Sequence, residues 1–428
     1  MKKGALFTAT ALLIMVPSLA MASQGAKVNG ADTAWLLVST ALVMLMTPGL
    51  AFFYGGMVRS SNVLNAIMMS LIALGVITIQ WVVIGYSLSF GPDVGHVIGG
   101  LNHFFLRGVG MEPSPVYAST VPQLAFMAFQ MMFAIITPAL ISGALVERMK
   151  FSTYVVFLLL WATLVYDPIC HWVWGDGGWL ARLGALDFAG GTVVHINAGI
   201  SALAAALVLG RRKGFLKEPM MPNNVVLTAI GAGLLWFGWF GFNAGSALTS
   251  GKLSALAFVN THVAAATAAL SWLVIEYIQH GKASTIGFCS GLVAGLVAIT
   301  PAAGFVNVLG ALFIGATVGL ICYGAVVLKV KLGYDDSLDA FGVHGIGGLW
   351  GALATGLVAV VGARGLFTGS AIQFGKQVLA SGVTIVYAFV FTYAILKVLD
   401  AVMGLRVEPE VEQVGLDLEL HGEEGYKI

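Results

Sequence analysis

The chain has 428 residues, of which 58% are hydrophobic and 10% charged, with a mean hydropathy of +0.92. Soluble domains carry about 25% charged and roughly 45–50% apolar residues, so there is too little charge here to cover a water-facing surface; this is the composition of a polytopic membrane protein. Lys plus Arg (21) and Asp plus Glu (20) nearly cancel, which leaves no global charge to argue for nucleic acid as a partner.

The N-terminus reads as a cleavable signal peptide over residues 1–22. Lys2 and Lys3 form a positive n-region and an apolar run follows from Ala5 to Val16. Ala20-Met21-Ala22 then supplies the small residues a signal peptidase reads, with Ser23 first in the mature chain. An uncleaved first helix is the alternative. Cleavage leaves the mature N-terminus outside the membrane.

A bilayer core of about 30 Å needs ~20 apolar residues per helix. Eleven stretches qualify: 33–56, 63–90, 122–146, 151–169, 188–209, 224–243, 254–278, 285–303, 305–330, 340–361 and 373–403. The 55 glycines suit helices that pack backbone to backbone. The expected fold is therefore all-α, with eleven transmembrane helices. An outside N-terminus and eleven crossings put the C-terminus in the cytoplasm. Loop charges agree at two to one. Arg59, Arg148, Lys150, Arg211, Arg212, Lys213, Lys217, Lys282, Lys329 and Lys331 fall inside, against Arg107, Arg182, Lys252, Arg364 and Lys376 outside. The mature chain then divides into a membrane domain, 23–403, and an acidic tail, 404–428, too short for a core of its own. That tail is either solvated or a regulatory segment docked on the cytoplasmic face. Cys170, Cys289 and Cys322 lie far apart with no metal-ligand spacing, which argues against a disulfide framework or a zinc site.

Ionisable residues at bilayer depth are costly and mark candidate sites. His195 lies in Gly190-Gly191-Thr192-Val193-Val194-His195, early in the fifth span, and His344 in Phe341-Gly342-Val343-His344-Gly345, early in the tenth. Each follows an aspartate, Asp187 and Asp339, positioned to cap its helix. Five spans separate the two segments, so a duplicated unit would cross in opposite directions. Such inverted repeats hold their site near the midplane. Two satisfied core histidines are the plainer alternative. A regular helix would leave His195 near the outer end and His344 near the inner end. The rings meet only if the lead-ins, Phe188 to Thr192 and Ala340 to Val343, already run inside the membrane. A neutral imidazole both donates and accepts, which suits a small, weakly polar solute, whereas a carboxylate there would trap a cation.

Aromatic residues gather at predicted outer ends: Phe129 and Phe133 in the third span, Trp172 and Trp174 in the loop before the fifth, Trp239, Phe240 and Phe242 ahead of Ser246 in the sixth. They read either as an interfacial belt or as a cation–π site, worth ~0.5–2 kcal/mol. By sidedness Phe133, Trp174 and Ser246 can share one outer vestibule.

These residues resemble the Amt/Mep/Rh superfamily, and within it the bacterial ammonium transporters (Amt). The marks are Pro48-Gly49-Leu50-Ala51-Phe52-Phe53-Tyr54-Gly55-Gly56, Gly143-Ala144-Leu145-Val146-Glu147-Arg148, Asp187 through His195, Gly238 through Ser246, and Phe341 through Gly345, in that order along the chain. The resemblance implies a homotrimer with a pore through each subunit, in the cell membrane (the inner one in a Gram-negative envelope), and no cofactor. It implies that Phe133, Trp174 and Ser246 recruit ammonium, that Phe133 and Phe242 are the paired rings closing the pore, and that His195 and His344 are twin pore histidines sharing a hydrogen bond. Asp187 is then a buried carboxylate needed for transport through structure. The tail 404–422 contacts the pore exit, where a PII-family protein is the implied partner. His262 in the seventh span departs from the pattern and is expected to serve helix packing; Asp176, at the vestibule rim, has no assigned role.

The expected function is recruitment of ammonium outside, its deprotonation, and conduction of ammonia past the two histidines, with methylammonium as an analogue. Net charge movement stays open. The alternatives are an Rh-type passive ammonia channel and an ammonium sensor signalling through its tail. A membrane enzyme is disfavoured because the pore candidates include no nucleophile–base pair or metal cluster.

Overall fold

Asn29 begins the first helix by accepting the Ala31 and Asp32 N–H groups on its side-chain oxygen. The computed structural model describes residues 27–426, so the expected signal peptide, 1–22, lies outside the described residues. The membrane-type helical runs, in chain order, are α1 Gly30–Met57, α2 Ser60–Phe90, α3 Gln123–Leu145, α4 Phe151–Leu183, α5 Gly191–Leu209, α6 Val225–Gly245, α7 Lys252–His280, α8 Thr285–Ile299, α9 Val308–Leu332, α10 Phe341–Val358 and α11 Ala371–Met403. Ten are long and apolar enough to cross a bilayer; α8, with 15 residues, is the short one. It is capped by Ser284, whose hydroxyl accepts the Gly287 N–H, and the chain leaves the helix ahead of Pro301. Asn260 of α7 then ties down the segment after α8 by donating to the Ala303 and Val306 carbonyls at 2.9 and 2.8 Å.

One expected boundary moves. The fourth span does not stop at 169 but continues through Asp167–Trp174, so Trp172 and Trp174 sit in helix and not in a loop; the run breaks at 175–178 before the short last piece of α4, Trp179–Leu183. Asp167-Pro168 looks like a break, yet a π-turn at Ala162–Tyr166 precedes it and restarts the helix with proline in its first turn, where no N–H is needed. Three other π-turns interrupt the bundle, at Trp81–Gly85, Gly191–Ile196 and Phe341–Gly345.

Polar pins hold the apolar helices in register. The Trp161 indole of α4 donates to Ser201 of α5 and Thr392 of α11, both at 3.0 Å. Two short hairpins, Asp93–Val94 with Ile98–Gly99 and Pro113–Ser114 with Ala118–Pro122, shape the loop between α2 and α3. At the opposite end the loops carry a buried ion network. Arg212 bridges Glu147 at 2.7 Å and Asp335 at 2.8 Å, and Arg148 donates to the Asp335 carbonyl. Burial alone would raise the Glu147 carboxyl, but Arg212 and Arg59 hold it below the ordinary range.

The tail is docked on this network, not solvated. Arg406 grips Glu412 and donates to the Leu209 and Arg211 carbonyls, closing the C-terminal end of α5. Leu416 is fully buried, and Asp417 accepts the Leu64 and Asn65 N–H groups at the start of α2. Two short helices, α12 Pro409–Val414 and α13 Leu416–His421, present these side chains.

Candidate functional site

The site begins with one carboxylate. Asp187 accepts four consecutive backbone N–H groups, Gly190 and Gly191 on Oδ1 and Thr192 and Val193 on Oδ2, at 2.6–3.1 Å. The first N–H groups of a helix have no intrahelical partners, and supplying them lets the start of α5 be buried. Gly190 turns the chain at φ +117°, a left-handed value that favours glycine. The π-turn that follows projects His195 inward. In the other half the cap is Asp336, not the expected Asp339: it accepts the Ala340 and Phe341 N–H groups at 3.1 and 2.8 Å. Asp339 takes φ +60° and pairs with Lys329 at 2.5 Å. The correction has a simple logic. Asp336 precedes His344 by eight residues, as Asp187 precedes His195, and that matching interval is visible in the sequence.

With both lead-ins buried, the two rings meet. His195 Nδ1 and His344 Nδ1 are 3.4 Å apart, with the rings 20° from parallel and 1% and 3% exposed. The approach requires glycine: a Cβ on Gly199 would overlap the Gly345 backbone. One Nδ1 must donate and the other accept, so the tautomers are reciprocal, and the two Nε2 atoms present one donor and one acceptor. His195 Nε2 has no protein partner. Trp239 and Phe242 stack near His195 at 5.4 and 6.0 Å between centroids. Trp239 shares a helical face with Phe242 three residues on, a spacing that could have singled it out. Beside the rings lies a cavity of about 10 Å³, walled by Leu50, Phe53, Leu140, Val194 and Trp239. That holds about one water-sized molecule.

The aromatic residues continue in contact away from the histidines. Phe242 meets Phe133 at 4.3 Å, both 1% exposed, and Phe133 meets Trp174 edge-on at 5.7 Å. Trp174 donates its indole N–H to the Asp187 carbonyl at 2.9 Å, and the Ser246 hydroxyl donates to the Phe242 carbonyl at 2.8 Å. Trp174 and Ser246 face a second cavity of about 310 Å³, which Asp187 also lines. The structure thus brings together His195, His344, Phe133, Phe242, Trp174, Ser246 and Asp187. His262 lies elsewhere, stacked on Trp236 at 5.1 Å, and the Asp176 backbone N–H is bound by the Tyr117 hydroxyl while its side chain is exposed.

Asp336 carries a pH prediction. Burial pushes its carboxyl up from 3.8 to about 6, Lys329 opposing the rise and Asp339 adding to it. A folded pKa above the unfolded one makes the native chain hold a proton that the unfolded chain has released, so this stabilisation is lost as pH rises. Melting temperatures of the detergent-solubilised protein are expected to gain on those of Asp336→Asn as pH falls from about 7 to about 5. A constant gap between the two would remove titration from this cap.

Residues 34–426 match the Ammonium Transporter Family. The chain is 50% identical over 402 residues to an ammonium transporter of Bacillus subtilis, covering 92% of this chain and 98% of that one. It is 51% identical over 424 residues to an ammonium transporter of Aquifex aeolicus, covering 97% and 98%. Among solved structures, Candida albicans Mep2 superposes with a TM-score of 0.85 at 39% identity, over 90% of this chain and 87% of that one.

Proposed function

The chain belongs to the ammonium transporter family, a family of membrane transporters and not of enzymes, and from that premise we propose how its residues perform transport. Ammonium is recruited in the outer cavity by Trp174, Phe133 and Ser246, where aromatic faces and a hydroxyl lone pair replace part of its water shell. It gives up a proton to water in that cavity on entering the dry passage. Ammonia passes the Phe133 and Phe242 rings as they turn aside, crosses the His195–His344 pair, and is reprotonated in the cytoplasm.

The observation that carries this reading is the hydrogen-bonded imidazole pair behind two closed phenyl rings. Potassium resembles ammonium in size and charge but has no proton to lose. A passage lined by apolar walls and a donor–acceptor pair offers a bare cation no compensation for its lost water. Ammonia, which both donates and accepts, matches the two ends of the pair.

The finer architecture follows the same reading. Eleven crossings arise if α8 spans together with the buried residues 300–303. Matching carboxylate caps eight residues before each histidine support an inverted repeat. We assign a homotrimer with one pore per subunit, the N-terminus outside after removal of 1–22, the membrane domain 23–403, and the tail 404–428 in the cytoplasm. The docked tail, reaching α2 and α5, supports control from that side, with a PII-family protein as the partner of the exit.

Radiolabelled methylammonium uptake into proteoliposomes, recorded together with membrane current, tests the proposal. Uptake is expected in the wild type and strongly reduced in the His195→Ala/His344→Ala double variant. Current accompanying uptake assigns the proton to the same path, and uptake without current assigns electroneutral passage. Full uptake by the double variant would overturn the mechanism.

A further inference from the structure

His171 of α4 has no part in the steps above, yet its ring is fully buried and engaged at both nitrogens. Nδ1 lies 2.9 Å from the Ser89 carbonyl, in the last turn of α2, and Nε2 lies 3.0 Å from Asp93 Oδ1, in the hairpin that follows. A carbonyl oxygen only accepts, and so does an ionised carboxylate. Asp93 is ionised: its bond from His171 holds the carboxyl below the ordinary range, against the rise that burial brings. A neutral imidazole has one N–H and would leave a bare nitrogen facing an oxygen at hydrogen-bond distance, where no solvent reaches. Both contacts are made only when each nitrogen carries a proton.

The surroundings agree. Among the described residues no lysine or arginine pairs with Asp93. His96 meets its second oxygen through Nδ1 at 2.9 Å, and Arg182 donates to His96 Nε2 at 2.9 Å, so that ring accepts there and is uncharged. Asp167, one turn before His171, accepts the Ser89 hydroxyl at 3.3 Å and the Gln80 amide at 2.8 Å. The other ionisable side chains nearby are Tyr117 and Cys170, uncharged at neutral pH, and the exposed Asp176. Room for the ring exists because Gly175 lacks a Cβ, which would meet Nδ1. The same glycine closes the helical turn by donating its N–H to the His171 carbonyl at 3.0 Å. Trp174, three residues after His171, is carried on that turn.

We propose that His171 is a positioning residue that holds a proton on both ring nitrogens, clamps α4 to the end of α2 through Ser89 and Asp93, and thereby fixes Trp174 for substrate capture. The effect on capture rests on the ammonium-transport reading, and the protonation does not. The second proton leaves as pH rises, one of the two bonds goes with it, and capture weakens on the alkaline side.

Nitrogen NMR of the full chain, labelled on histidine and held in liposomes at about pH 7, reads the ring directly. A signal with both nitrogens protonated is expected in the wild type and absent from His171→Gln; a bare nitrogen assigned to His171 would overturn the proposal. Methylammonium, a cation throughout this range, then reports capture in the same liposomes. The wild-type KM is expected to rise about threefold, the scale of one lost hydrogen bond, between about pH 6.5 and about pH 9 at an unchanged maximal rate. In His171→Gln KM is expected to be raised and flat. Asp93→Asn offers an N–H to a neutral ring, so it is expected to keep the low KM and lose both the pH dependence and the doubly protonated signal. A wild-type KM that ignores pH, or an equal slope in all three proteins, would overturn the role in capture. Absence of uptake by the wild type would instead overturn the transport reading, leaving the NMR result to decide the protonation.

Discussion

Glutamate in place of His344 is expected to let potassium through, cutting the preference for ammonium at least tenfold, the factor that about 1.4 kcal/mol represents. The native pair carries no fixed negative charge: its contact at 3.4 Å satisfies one nitrogen of each ring and leaves a donor and an acceptor for the solute. A carboxylate at the same depth, walled by Leu50, Phe53 and Leu140, is a buried charge without a partner. It is stabilised by any cation of suitable size. Potassium then finds what the imidazole denies it. His195→Glu should act in the same direction, and more strongly, since His195 is the ring in stacking contact with Trp239 and Phe242, and its Nε2 lacks a protein partner. The measurement is current in potassium chloride free of ammonium, wild type against each variant. If neither variant carries a potassium current, selectivity does not reside in the neutrality of this pair.

How far the site could be read in advance depends on the range of the interactions that build it. Apolar runs of ~20 residues report on the bilayer, an environment common to every span, and ten of the expected eleven reappear as helices long enough to cross. The family expected from the residue motifs is the family that matches. Reading failed where one residue could be satisfied only by the tertiary structure. The fourth span was expected to end at 169 with Trp172 and Trp174 in a loop, but after a π-turn at Ala162–Tyr166 the helix runs on past Pro168 to Trp174. Asp339 was the nearer carboxylate to His344, yet Lys329 claims it and Asp336 supplies the cap. The histidines seemed to lie at opposite ends of the membrane because regular helices were assumed; carboxylate-capped lead-ins let both begin inside the protein. The tail was ambiguous because its anchors are remote in the chain: Leu209 and Arg211 lie almost 200 residues away and Asn62, Leu64 and Asn65 more than 350.

The largest loss is expected from Asp187→Ala: methylammonium uptake falls below roughly 1% of wild type and thermal stability drops by several kcal/mol. The figure follows from counting. Four buried N–H groups lose their only acceptor, and an unsatisfied buried group costs ~1–3 kcal/mol, so even with partial relaxation the penalty is a large share of ordinary stability. Asp187→Asn should fall between the two, because one amide oxygen can serve Gly190 and Gly191 while its NH₂ confronts the Thr192 and Val193 donors. This ordering separates a structural carboxylate from a binding one. A group that merely attracted ammonium would, on becoming asparagine, raise KM and leave the melting temperature alone. A group that builds the turn carrying His195 would lower the melting temperature and the maximal rate together, with KM nearly unchanged. The geometry favours the second outcome, since both oxygens face the backbone and neither has capacity to spare for a passing ion. Melting curves and uptake kinetics on the same purified variants decide it, and an Asp187→Ala protein that melts and transports like the wild type would show that the turn needs no cap.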